Sequence, residues 1–443
     1  MSGDDTGQPV SKSRRLWKLA SMTASVTANY AGSRLKGAFQ DASDAARSRA
    51  ESHQVSGERI AETLGELKGA AMKIGQMASV AGDVLPKELS GALKRLQKEA
   101  PPMDFEVISA QIESELGAPP EILFDHFDRT PFAAASIGQV HRARTDDGRE
   151  VVVKVQYPGV DNSVDSDLFQ LKLALKASGI VKMSRKSLNE LFEEIKERLN
   201  EELDYCNEAD NVRLFRDFHA QHDFVHIPEV VGERSAKRVL TLTYVQGDNI
   251  NELRDLGYTQ ETLDKVGQNL FEMTLAQLFE FQIIHADPNP ANFAFRPNGD
   301  IVLYDFGCVK RCKPDIIRSY RDTILAGIEE DYDGVEKGLI ELGARRENGP
   351  RPENAYYKKW RDLLLLPFLG DEPFDYGGST VHDELKKMVP GVLKRLDSFK
   401  PPVEVVFIDR VVAGHYGNMR TLQSSGHFLD IVLRYLHESK ARD

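Results

Sequence analysis

Residues 285–310 read HADPNPANFAFRPNGDIVLYDFGCVK, and the spacing of three oxygen-bearing side chains within them decides the fold. Asp287 stands five residues before Asn292, a strand-turn-strand pattern follows, and Asp305 comes thirteen residues after Asn292, directly ahead of Phe306 and Gly307. Phosphoryl transfer asks little covalent chemistry of a protein. It needs magnesium held against phosphates by hard oxygen ligands, and an acceptor hydroxyl or water oriented beside them. Asp305 and Asn292 suit the metal, and Asp287 suits the orienting role. A surface hairpin whose Asp and Asn merely cap turns would explain a lone Asp-Phe-Gly. The full spacing, with a preceding helix and flanking strands, favours the catalytic reading.

With 443 residues the chain exceeds what one core usually spans, so two lobes plus extensions are expected. A hydrophobic share of 41% beside 28% charged residues is that of a soluble globular protein, and the net charge of -12 argues against general nucleic-acid binding. No run approaches the roughly 18 consecutive apolar residues of a membrane span. The nearest, Leu363–Leu369, is short, so membrane contact would be peripheral. Cys206, Cys308 and Cys312 suggest ordinary thiols in a reducing compartment rather than a disulfide framework or a metal site. The opening MSGDDTGQPV lacks a secretory pattern, and a cytoplasmic location is expected.

Residues 1–55 form a basic segment: positions 11–40 hold six Lys or Arg and no Asp or Glu. Trp17, Met22, Val26 and Tyr30 give it an apolar face suited to an anionic membrane surface, although a solvated arm fits equally well. From Ser56, Ile60, Leu64, Leu67, Ala71, Ile74 and Met77 recur at helical spacing, and Gly65, Gly69 and Gly75 within that stripe point to another backbone packing closely. Lys73 and Gln76 share a face of this helix. Helices are also expected at Pro86–Lys98 and Phe105–Leu116.

Ala133, Ala134, Ala135, Ser136, Ile137 and Gly138 form a loop of mostly small residues ahead of the strand Glu150–Val155, which carries Lys154. Strand, turn and strand ending in a lysine is how a kinase N-lobe opens, the loop covering the phosphates and the lysine meeting them. Apolar neighbours on both sides imply burial, and a buried ammonium needs a carboxylate. A helix through Leu188, Phe192, Ile195, Leu199, Leu203, Cys206 and Ala209 offers Asp204 and Glu208, four apart on one face. The strand Arg238–Gly247, with Tyr244 and Val245 near its end, suits a hinge whose backbone meets an adenine. A helix from Leu263 to Phe281 delivers the chain to the opening motif, and from Pro314 the pattern is mostly helical.

Taken together these residues resemble the UbiB (AarF) family of atypical kinase-like proteins linked to coenzyme Q biosynthesis, from about Ser56 to the C-terminus. Lys73-Ile74-Gly75-Gln76 resembles the family's KxGQ motif, residues 133–139 its alanine-rich loop, and Glu202-Leu203-Asp204 its ExD motif. The resemblance implies that Lys154 is the nucleotide lysine and Glu208 its ion-pair partner, with Asp287, Asn292 and Asp305 at the catalytic and metal positions. It further implies a KxGQ helix roofing the cleft where a peptide would enter, with Lys73 and Gln76 near Glu202 and Asp204. Two departures from protein kinases stand out: no Ala-Pro-Glu follows Asp305-Phe306-Gly307, and His285-Ala286-Asp287 replaces His-Arg-Asp.

The expectation is an α+β, protein-kinase-like, two-lobed fold binding ATP and magnesium between its lobes. Residues 56–130 would form the helical KxGQ extension, 131–247 the N-lobe and 248–443 the C-lobe. The expected function is that of an enzyme: Mg-dependent ATP hydrolysis, or phosphoryl transfer to a small molecule or lipid, in support of ubiquinone or isoprenoid-lipid metabolism. A lipid or quinone precursor is the expected partner, with residues 11–40 as the membrane contact. The alternatives are a nucleotide-gated lipid-binding scaffold and a protein kinase proper.

Overall fold

The structure, a computed structural model, describes residues 102–135, 137–160, 203–370, 372–393, 395–400 and 405–441, with scattered helical positions at 21–25 and 165–200. The segment 11–40 expected to meet a membrane, apart from Ser21 and Ser25, lies outside the described residues, as do the Lys73, Gly75 and Gln76 motif, Ser136 and Glu202. The chain forms two compact units, Met1–Asp210 with Glu229–Tyr244, and Asn211–Pro228 with Val245–Asp443.

The first unit starts with α1 (Phe105–Leu116), which stops where Gly117 takes φ 82°, a left-handed C-cap that glycine adopts without strain. A short α2 (Pro120–Leu123) leads to β1 (His126–Phe127), β2 (Ala133–Ala135), β3 (Gly138–Arg144) and β4 (Glu150–Gln156). These pair antiparallel, and period-two alternation separates the faces. Val151, Val153 and Val155 are buried on the face where α1 packs, while Val152 and Lys154 on the other face are half-buried. α3 (Tyr205–Phe218) follows. The chain then passes through β5 (Val225–His226) in the second unit and returns as β6 (Val239–Thr243), which pairs with β4.

Two elements differ from the sequence expectation. The helical march from Leu188 to Ala209 is interrupted: Leu203 lies in a turn, Asp204 is non-helical, and α3 begins only at Tyr205. The break is a cap, in which the Cys206 N–H donates to Asp204 Oδ1 at 3.0 Å and the Asn207 and Glu208 N–H groups to its carbonyl. The apolar period continues through the break, so only the capping aspartate signals it. The strand at Arg238–Gly247 is shorter, its regular pairing spanning Val239–Thr243.

In the second unit, α4 (Gln260–Leu275) is capped by Thr259, whose hydroxyl accepts from the Thr262 N–H, and it ends in a π-helical turn at Ala276–Glu280. β7 (Ile283–His285), β8 (Phe293–Phe295), β9 (Ile301–Leu303) and β10 (Val309–Arg311) follow. Helices then dominate: α5 (Pro314–Ile328), α6 (Tyr332–Glu341), α7 (Asn354–Leu364), and, after β11 (Phe374–Asp375), α8 (Val381–Leu393) and α9 (Val406–Leu422). β12 (Ser425–Gly426) pairs with β11, and α10 (Leu429–Ala441) is the last element. Leu275, Phe279, Ile284, Ile317, Ile408, Val411, Val432 and Leu436 join α4, β7, α5, α9 and α10 in one core. Among the described residues no helix is long and apolar enough to cross a membrane.

Candidate active site

β4 brings Lys154 to the half-buried face of its sheet, between Val140 on β3 and Leu240 on β6. One turn into α3, Glu208 meets it: Lys154 Nζ donates to Oε1 at 2.9 Å and Oε2 at 3.0 Å. The lysine side chain is 14% exposed and the glutamate 4%, so the pair is largely withdrawn from water. The Tyr205 ring lies 5.1 Å from the same ammonium. Of the two carboxylates that the pattern offered, Glu208 makes this pair and Asp204 caps α3.

The alanine loop is a β-hairpin in which Ala133, Ala134 and Ala135 pair with Val140, Gln139 and Gly138. Ile137 is buried, and its carbonyl accepts from the Tyr157 N–H at 2.9 Å. Gly138 has a packing reason to be glycine, since a Cβ there would lie 2.1 Å from the Val155 carbonyl oxygen. Gln139 anchors the hairpin from behind. Its Oε1 accepts from the Met103 N–H at 2.9 Å and its Nε2 lies 3.0 Å from His141 Nε2. His141 Nδ1 donates to the Asp128 carbonyl at 2.7 Å, so Nε2 is left to accept from the Gln139 amide. Burial lowers the His141 pKa, which preserves that neutral tautomer.

In the second unit the opening motif is folded by two strand pairs. β8 and β9 form an antiparallel hairpin in which Phe293 faces Leu303, and the Tyr304 N–H donates to the Asn292 carbonyl at 3.1 Å. The thirteen-residue spacing is thus the length of a hairpin with Asn292 and Asp305 at its base. β7 pairs with β10, Val309 opposite His285, which clamps the two halves of the motif together. The His285 ring donates from Nε2 to the Asp305 carbonyl. Phe306, fully buried, packs at 5.3 Å from Phe215 and 5.7 Å from His285. Its carbonyl accepts from Asn211 Nδ2 at 3.0 Å.

Asp305 Oδ1 accepts the Gly307 N–H at 3.0 Å, which aims the carboxylate. Asn292 Nδ2 donates to the Asp287 carbonyl at 3.3 Å, so its Oδ1 points elsewhere and keeps its lone pairs. A carboxylate and an amide oxygen are the hard donors magnesium prefers, and phosphate and water oxygens ordinarily complete its shell. This donor set fits. Among the described residues no group of three His, Cys, Asp or Glu forms a metal site of its own.

The hinge positions are committed to the backbone. The Tyr244 N–H donates to the Glu150 carbonyl at 2.8 Å, and the Tyr244 ring stacks on the Arg142 guanidinium at 4.0 Å. The Val245 carbonyl accepts from Tyr304 Oη at 2.8 Å. Sequence reading placed Gln139 in the alanine-rich loop without an anchoring role, and passed over Tyr304 and over Arg410 on α9, whose Nη2 lies 3.7 Å from Asp287 Oδ1. Gln139 closes the alanine-rich motif and Tyr304 directly precedes Asp305. Arg410 lies more than a hundred residues beyond Asp287, and nothing local marks it.

A strand lysine paired with a helix glutamate, and a catalytic loop followed by Asp-Phe-Gly, define a protein-kinase-like protein. Residues 95–339 match the model of the ABC1 atypical kinase-like domain, and the chain belongs to that family, also called UbiB or COQ8. It is 31% identical to the probable serine/threonine-protein kinase abkA of Dictyostelium discoideum, over 92% of this chain and 76% of that protein. Against the mitochondrial atypical kinase COQ8 of Saccharomyces cerevisiae the identity is also 31%, covering 92% and 81%. Among solved structures, the Rv3197–erythromycin complex from Mycobacterium tuberculosis superposes with a TM-score of 0.61 at 29% identity, covering 83% of this chain and 92% of that one.

Proposed function

We propose that the protein binds ATP with magnesium and either hydrolyses it or transfers its γ-phosphoryl group to a small-molecule or lipid acceptor in ubiquinone or isoprenoid-lipid metabolism. The observation that carries this reading is the Lys154–Glu208 pair at 2.9 Å. An ammonium held by a carboxylate on a half-buried sheet face is the arrangement that meets nucleotide phosphates. Relatives named atypical kinase COQ8 supply the metabolic direction.

Lys154 would donate to phosphate oxygens while Glu208 fixes its position. Asp305 and Asn292 would hold magnesium, which when bound neutralises phosphate charge. Asp287 would orient the attacking water or hydroxyl and accept its proton.

The test is ATP turnover by the full chain with and without magnesium, against a panel of quinone precursors and anionic lipids. Mg-dependent turnover that rises with one member is expected, and its loss in Asp305→Asn ties it to this site. No Mg-dependent nucleotide binding in a thermal-shift assay refutes the reading. The proposed membrane contact predicts that liposome flotation is lost when residues 1–40 are removed.

A further inference from the structure

The loop 285–292 carries no lysine or arginine, although the function proposed above requires its aspartate to keep one orientation beside a reacting phosphate. A cation reaches it from far along the chain. Arg410 Nη2 on α9 lies 3.7 Å from Asp287 Oδ1, the two side chains being 32% and 24% exposed. Arg410, Gly414 and Asn418 follow at intervals of four, so they share one face of α9. That face is seated on the catalytic loop. A Cβ on Gly414 would stand 2.2 Å from Pro288 Cγ. Asn418 Nδ2 donates to the Pro288 carbonyl at 3.0 Å, and the His415 ring packs edge-on to Phe293 at 5.3 Å. The helix is therefore fixed one and two turns beyond Arg410, and the guanidinium is delivered by a rigid element.

The distance is informative. At 3.7 Å the pair is longer than a hydrogen bond, so the attraction does not consume a lone pair. Among the described residues, no donor forms a hydrogen bond to either carboxylate oxygen of Asp287, which leaves both able to receive a water or hydroxyl. We infer that Arg410 is a positioning residue for phosphoryl transfer, restraining the Asp287 carboxylate by charge while leaving its lone pairs to the acceptor. This rests on the orienting role assigned to Asp287.

The test compares wild type, Arg410→Ala, Arg410→Lys and Asp287→Asn in Mg-dependent ATP turnover, with Mg-ADP affinity and Tm measured on each. Arg410→Ala should lower kcat by about 10- to 100-fold, the scale of a slightly misplaced catalytic group, with KM, Mg-ADP affinity and Tm unchanged. Arg410→Lys should recover part of the rate, as should millimolar guanidinium added to Arg410→Ala, while equal sodium chloride should not. In the Asp287→Asn background the alanine change should cost nothing further, because the two act as one unit. Unchanged or raised kcat in Arg410→Ala overturns the inference. So does a loss that tracks Tm or Mg-ADP affinity and that lysine and guanidinium fail to restore. A wild-type protein without Mg-dependent turnover overturns the proposed function, and this inference with it.

Discussion

The Lys154–Glu208 pair should let stability be separated from activity. Glu208→Gln breaks the ion pair of a largely buried ammonium, and urea unfolding should show a loss of about 3 kcal/mol, the usual cost of breaking a buried pair. Lys154→Met combined with Glu208→Gln removes the charge that needed compensation. Stability should recover in the double variant while Mg-ATP binding stays lost. If both variants unfold like wild type, the pair is solvated in solution and its assigned place is wrong. Asp287→Asn keeps the size of the side chain but loses the charge that faces Arg410 and cannot take a proton. It should lower kcat about 100- to 10,000-fold with nucleotide affinity intact, the range typical of a lost general base. Full turnover in that variant would remove Asp287 from the chemistry.

At the scale of elements, the site depends on close backbone approaches. Gly138→Ala drives a methyl against the Val155 carbonyl in the β3–β4 ladder, and Gly414→Ala drives one into Pro288. Each should cost about 1–3 kcal/mol of stability, as overpacking does. Gly414→Ala should also lower turnover by displacing the catalytic loop, whereas Gly148→Ala, at a positive φ in open space, should cost stability alone. Equal turnover in the two would separate α9 from catalysis. These elements divide by how local their signals are. The β8–β9 hairpin was legible because its ligands and its ladder lie within one short stretch, and Lys154 because period two places it on a face. The break before α3 was hidden, as the apolar period of Leu199, Leu203 and Cys206 continues through it. The α9 contact was invisible for a different reason: helical periodicity identifies the buried face of α9 but not which loop that face meets.

At the scale of the whole molecule, pH should act most strongly through two buried histidines. Burial pushes His219 down to about 3, with His222 adding repulsion, and burial likewise pushes His415 down to about 3, with His285 adding to it. Unfolded histidine takes its proton near pH 6.5, so between pH 6.5 and 3 the unfolded chain binds protons that the native state refuses. Stability from these groups is complete above pH 6.5 and falls as the pH drops, by about 1.4 kcal/mol per pH unit for each. His415→Gln should flatten the pH dependence of the unfolding free energy over that window relative to wild type. A parallel curve would mean that His415 protonates in the native state.

The seating of α9 on the Pro288 loop has a consequence in time as well as in space. During synthesis the ribosome releases every recognised motif, from Lys154 through Asp305, well before Arg410, Gly414 and Asn418 emerge. A nascent chain can thus carry all the residues of the site while its catalytic loop still lacks the helix that braces it. Phosphoryl transfer should accordingly switch on late, as α9 docks, and a stalled chain ending near residue 400 should be inactive despite an intact motif.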